Sequence, residues 1–243
     1  MVEKMNFRFT KEHPYVIFCE GRDERQWLIA YLAYLSSYKV VPDQVEVHDL
    51  GGNEQMLNAI KSIPRLDHYN EIKAILFIRD AEKNHQSAIQ ALSEKILHNF
   101  PIADNPSSLR GGVWYPTEDH VQIGFTLFPG QTASGDFFDG TLEDLCLSIL
   151  KTQDEKLPAS TLCELGDTYL EEIQKARGIP LKEIQKVKSA SFHTYHKNRL
   201  HTYFSGTNKF VGMKVGEAAR AGCFDFSSYH LNYLKKLLID MSH

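Results

Sequence analysis

Three times between residues 15 and 97, an apolar run of strand length ends in an acidic or glycine turn and gives way to residues spaced three and four apart. Residues 15–19 carry no polar alternation, as a strand buried on both faces of a parallel sheet requires, and they stop at Glu20 and Gly21. Asp23 is placed to cap the next helix, whose apolar face is Trp27, Leu28, Tyr31, Leu32 and Leu35, with an end near Ser36 and Ser37. Residues 45–50 alternate and stop at Gly51 and Gly52. Met56, Leu57, Ile60 and Ile63 then mark a second helix, halted by Pro64. Residues 72–78 form a third apolar run, followed by Arg79, Asp80, Ala81 and Glu82 and by a helix carrying Ile89, Leu92, Ile96 and Leu97. Successive strand–helix pairs close right-handed crossovers, so the expected fold is α/β: a mostly parallel sheet flanked by helices.

Residues 100–112 read as a loop and residues 121–128 as a fourth strand. A turn-rich loop over 129–140, with Asp136 and Asp139, leads to a helix begun by Thr141 and bearing Leu142, Leu145, Ile149 and Leu150. From about Leu162 onward only helices are expected. Ser227 is placed to cap the last, with Tyr229, Tyr233, Leu234, Leu237 and Leu238 as its core-facing stripe. The expected division is an α/β core over residues 1–155 and a helical part over 156–243 packed on it, forming one compact unit.

Several function classes lack support. The longest nearly uncharged apolar stretch is about seven residues, against the ~20 of a membrane-spanning helix, so no membrane association is expected. The amino terminus has no apolar segment before a small-residue cleavage site, which gives a cytoplasmic expectation. Four dispersed cysteines without a CxxC pair read as buried, reduced thiols. Neither GxGxxG, a P-loop nor GxSxG occurs, so dinucleotide binding, P-loop ATP hydrolysis and serine-hydrolase chemistry have no basis. Gly51, Gly52 and Asn53 could bring backbone close to a phosphate, or simply make a tight turn.

The net charge of −4 conceals a segregation. Residues 173–220 hold ten basic and two acidic side chains, a local +8 that leaves −12 elsewhere. Lys186, Lys188, Lys197, Arg199 and Lys209 from this stretch are candidate nucleic-acid contacts, and Phe192, Tyr195, Tyr203, Phe204 and Phe210 could stack on bases. The alternative is a solvated helical face with its aromatics packed inward. His193 and His196, three apart without further ligands nearby in sequence, read as surface histidines.

Open parallel sheets form their sites in the crevice outside the carboxyl ends of the strands. Glu20 and Asp80 follow two apolar strands directly, where a buried anion is costly unless a cation or hydrogen-bond donors compensate it. Together with Glu82 they would offer oxygen ligands to a hard divalent ion such as magnesium.

Glu20-Gly21-Arg22-Asp23-Glu24 after the first strand, Leu50-Gly51-Gly52 after the second, and Ile78-Arg79-Asp80-Ala81-Glu82 after the third resemble the Toprim domain of topoisomerases, primases and OLD-type nucleases. Downstream, Phe128-Pro129, the stretch 140–145 and residues 216–226 are similar to an uncharacterised Toprim-like group related to the OLD nucleases. The resemblance implies a metal-dependent phosphodiesterase whose catalytic residues are Glu20, Asp80 and Glu82, using Mg2+ or Mn2+. Asp80 and Glu82 would hold one ion, Glu20 would share it or act as a general base, and Glu143 with Asp144 would contribute a second-metal ligand. For that pair the alternative is the ordinary preference of acids for a helix's first turn. The implied function is a nuclease acting on DNA or RNA, in defence against foreign nucleic acid. Because Glu82 stands where the family pattern has aspartate, the alternative is a non-catalytic nucleic-acid-binding or regulatory protein working beside a separate ATPase. A third reading is an enzyme acting on a small phosphorylated metabolite.

Overall fold

The computed structural model describes residues 9–132, 134–154, 162–178 and 192–242. Strands β1 (Tyr15–Cys19), β2 (Val45–Asp49), β3 (Ala74–Asp80), β4 (Trp114–Pro116) and β5 (Gln122–Phe128) form one sheet in the order β2-β1-β3-β5-β4. All the pairings are parallel except β4 with β5. Helices α1 (Arg22–Ser36), α2 (Asn53–Ser62) and α3 (His85–Asn99) make the crossovers. Helices α4 (Leu142–Asp154), α5 (Leu162–Ala176), α6 (Phe192–Ser205), α7 (Val215–Arg220) and α8 (Asn232–Asp240) follow β5.

Alternation along the strands divides the core in two. Val16, Phe18, Ile75, Phe77, Phe125 and Leu127 face α2 and α3, while Ile17, Cys19, Leu76, Ile78 and Phe128 face the layer that contains α1 and α4. All seven residues of β3 are buried, which explains why its sequence shows no polar alternation. The α1-side core draws on both halves of the chain: Trp27, Leu142, Leu200, Val215 and Leu234 belong to one continuous cluster. Helix α7 lies directly on α1, because Gly216 removes the side chain that would otherwise meet Gln26 Cβ at 2.4 Å. All four cysteines are buried thiols, none of them in a disulfide. No helix among the described residues is long and apolar enough to cross a membrane.

Three local expectations are corrected. Helix α1 starts at Arg22 with Gly21 at its N-cap, so Asp23 lies in the first turn and does not cap it. The last helix starts at Asn232 after a 3-10 turn over Tyr229–Leu231, so Ser227 is not its cap, and Tyr229 is 64% exposed instead of joining the core stripe. Strand β4 was not anticipated. It is three residues long, and tertiary contacts hold it: Trp114 packs over Gly124, where a Cβ would come within 2.9 Å of the indole, and its Nε1 donates to the Leu237 carbonyl at 3.1 Å.

Candidate functional site

The order β2-β1-β3 makes the chain leave β1 in opposite directions, so the crevice outside β1 and β3 is the sheet's topological switch point. Glu20 immediately follows β1 and Asp80 ends β3. Cys19 is in register with Ile78, so Glu20 stands level with Arg79 and Asp80 lies one step beyond. The two acids consequently approach the rim from different sides of the sheet. Glu20 Oε1 lies 3.2 Å from Arg79 Nε, yet this buried oxygen makes no hydrogen bond of acceptable geometry. Asp80, on the α1 and α4 side, accepts the Leu142 N–H at 2.9 Å through Oδ1, anchoring the start of α4 to β3.

Further acids gather on the same rim. Glu24, one helical turn after Glu20, folds its carboxyl back over Gly21, where a Cβ would sit 2.7 Å from Oε2. Glu143, in the first turn of α4, accepts from Thr141 Oγ1 at 2.9 Å and lies 3.4 Å from Lys197 Nζ of α6. Its neighbour Asp144 accepts the Thr141 N–H at 2.8 Å and contacts His196 Nδ1. The acids act on one another. Burial pushes Asp80 well above the usual carboxylate range, with Glu24, Glu143 and Glu20 adding to it. Burial also raises Glu20 to about 7, against the opposing pull of Arg79 and with reinforcement from Glu24 and Glu82. Glu24 rises through burial and through Glu143 and Asp23. Lys197 is raised despite partial burial, because Glu143, Glu24 and Asp80 hold its charge.

The turn after β3 is clamped by the loop that precedes α4. The Ala81 N–H donates to the Phe128 carbonyl at 2.9 Å, and Glu82 and Gly140 exchange backbone bonds of 2.8 and 2.7 Å. Glu82 takes a left-handed φ of +54°, and Gly140 lies at +136°. Gly140 is required there twice over, since a Cβ would also meet Asp144 Oδ2 at 2.7 Å. Beyond Glu82, Asn84 caps α3 through Ser87, and Asp139 Oδ1 accepts both the backbone N–H and the ring Nδ1 of His85, at 2.8 and 2.7 Å.

Of the residues expected at the site, Glu20, Asp80 and Glu143 interact electrostatically at the rim. Glu82 acts on Glu20 from the next turn, while Asp144 is engaged with Thr141 and His196. Glu24, which sequence reasoning passed over, couples to Asp80 more strongly than Glu20 does. Its one detectable signal was the four-residue spacing from Glu20, which an acid in a first helical turn easily disguises. Among the described residues, no three Asp, Glu, His or Cys side chains stand close enough to hold a metal ion as they are. The donor chemistry nevertheless suits a hard divalent cation. Glu20, Glu24, Asp80 and Glu143 face Arg79 and Lys197, so full ionisation would leave two negative charges uncompensated.

The basic segment is partly engaged within the protein. Lys197 pairs with Glu143, Arg199 binds Asp167 with Nη2 2.7 Å from Oδ2, and Lys209 lies 5.1 Å from the centre of the Phe210 ring. Lys186 and Lys188 lie outside the described residues, as do the side chains of Phe192, His193 and Tyr195. Tyr203 and Phe204 are buried and Phe210 packs against the core, so these three aromatics face inward. His196 is half-buried against Asp144, which corrects the expectation of a surface histidine. Burial lowers its tendency to protonate.

No curated protein and no solved structure matches the chain. Residues 14–241, from just before the first strand to just past the last helix, match the model of DUF3226, a family of proteins of unknown function, and on that match the chain belongs to this family.

Proposed function

We propose that this protein is a divalent-metal-dependent phosphodiesterase, a Toprim-like nuclease acting on DNA or RNA with Mg2+ or Mn2+. The observation that carries the reading is the gathering of Glu20, Glu24, Asp80 and Glu143 at the switch point of a parallel sheet, where two cations face four acids. Carboxyls buried close to one another are costly to maintain, and recruitment of a cation would be a functional reason to keep them. Asp80, Glu20 and Glu143 would hold the ion, with Glu24 and Glu82 at its margin. A bound divalent ion supplies charge neutralisation for phosphoryl oxygens in the substrate and in the transition state. Arg79 sets a positive charge beside Glu20, and Lys197, partly exposed next to Glu143, would offer one to an arriving phosphate.

The test is incubation of the purified protein with DNA and RNA in Mg2+ or Mn2+, alongside Asp80→Asn. Cleavage that stops with chelator, and a loss in Asp80→Asn beyond the roughly 10–100-fold typical of an outer-shell change, supports the proposal. An inert unsubstituted protein, or cleavage undiminished in Asp80→Asn, removes it.

One observation favours a second reading. Arg79 and Lys197 already pair with Glu20 and Glu143, an arrangement that suits a Toprim-like scaffold without chemistry, binding nucleic acid or regulating a separate ATPase. Calorimetry separates the two: no uptake of millimolar Mg2+, with nucleic-acid affinity retained, favours the scaffold.

A further inference from the structure

We infer that Lys197 is the resident counter-ion of the acidic rim: its ammonium stands beside Glu143 in place of a divalent cation and is displaced when the ion binds. The inference rests on the phosphodiesterase reading and adds to it the regulation of the metal site. Lys197 Nζ lies 3.4 Å from Glu143 Oε1, and the lysine side chain is 53% exposed where the carboxyl it meets is 8% exposed. Glu143 is also held through its other oxygen, since Oε2 accepts from Thr141 Oγ1 at 2.9 Å. The acid is therefore the fixed member of the pair, and the ammonium is the one able to leave. The charge of Lys197 reaches beyond Glu143 to Glu24 and Asp80. Asp80 is 4% exposed, and among the described residues its carboxyl accepts one hydrogen bond, from the Leu142 N–H to Oδ1, which leaves Oδ2 with no donor. A single ammonium thus serves three acids, a load better matched by a compact, doubly charged ion with oxygen ligands.

Helix α6 does not depend on this contact for its place. Leu200, Tyr203 and Phe204 are buried in the same core cluster as Leu142 and Leu145 of α4, and His196 contacts Asp144, the neighbour of Glu143. The backbone of α6 is anchored by that packing, so the four-carbon stem of Lys197 can swing away without moving the helix. Arg79 does not share this freedom, because its side chain is 5% exposed beside Glu20. A half-exposed ion pair contributes little to stability, so a divalent ion that takes the Glu143 oxygens breaks it at small cost. The released ammonium, still tethered to α6, is then available to a phosphate oxygen. Metal and phosphate would bind in that order, since the empty site keeps its lysine engaged with Glu143.

The experiment is calorimetric titration of the purified protein with Mn2+, without substrate, for the parent, Lys197→Met, Lys197→Arg and Arg199→Gln. Lys197→Met keeps the stem and removes the charge. It is expected to bind Mn2+ about five- to tenfold more tightly than the parent, because the ion neither breaks an ion pair nor faces the ammonium. Lys197→Arg keeps the charge and should bind no more tightly than the parent. Arg199→Gln removes a positive charge from the same helix whose partner is Asp167, outside the rim, and should stay within about twofold of the parent. The thermal midpoint of each variant in chelator reports folding independently, and Mn2+ binding seen only in Lys197→Met also supports the inference. Unchanged or weaker binding in Lys197→Met, or equal tightening in Lys197→Arg or Arg199→Gln, overturns the role of Lys197 and leaves the phosphodiesterase reading intact. Mn2+ bound by neither the parent nor any variant overturns the two together.

Discussion

Replacing Glu20 by Gln should stabilise the metal-free protein at alkaline pH and leave it little changed in acid. The Glu20 carboxyl is largely buried beside Arg79, and burial, reinforced by Glu24 and Glu82, raises it from 4.5 to about 7. Between those values the folded protein keeps a proton that the unfolded chain releases, so stability falls as pH rises. The contribution is complete below pH 4.5 and gone above about 7, and the gap is worth about 3 kcal/mol. Glu24 and Asp80 are raised too, so they steepen the decline in the same direction, and the comparison with Gln isolates the share of Glu20. Urea unfolding in chelator at pH 5 and pH 8, followed by fluorescence of the fully buried Trp27, measures the effect. The variant should match the parent at pH 5 and exceed it by up to about 3 kcal/mol at pH 8. Parallel pH curves for the two proteins would refute the claim that this carboxyl is held protonated by its surroundings.

A saturating divalent cation should reverse that alkaline penalty: at about 100 times its Kd it adds about 2.7 kcal/mol, read as a rise in thermal midpoint at pH 8 that Asp80→Asn loses. Gly140→Ala should cost about 1–3 kcal/mol in urea unfolding, because its φ of +136° disfavours a side chain and the new Cβ meets Asp144. If it costs nothing, the clamp on Glu82 is looser than described. Gly216→Ala should cost a similar ~1–3 kcal/mol by forcing α7 away from Gln26 on α1, a change visible in the same assay. Trp27→Ala, emptying a fully buried site that meets Phe128 and Phe226 edge-on, should cost about 3–5 kcal/mol in thermal or urea unfolding followed by circular dichroism.

The strands and helices up to Asn99 were legible because each carries its own period. The unbroken apolar runs of β1 and β3 require burial on both faces, and the three- and four-residue spacing in α1 requires one apolar stripe. Glu20 and Asp80 were legible for the same reason: an acid at the end of such a run has few places to be except the sheet rim. Strand β4 was not, since three residues hold no pattern and only packing over Gly124 and the bond to Leu237 make it a strand. The basic segment misled in part, because charge counted along the chain does not reveal that Lys197 and Arg199 turn toward Glu143 and Asp167.

Periodicity and composition thus determined the α/β alternation, the unbridged cysteines and which acids end the strands, all properties that a residue carries with its near neighbours. Tertiary structure alone decided that Glu24 joins Asp80, that Glu143 takes Lys197 as its partner, that Glu20 leans on Arg79, and that Asp139 reaches His85. Those partners lie on different elements, and side-chain charge and hydrogen bonding act across space, so no local pattern could record them.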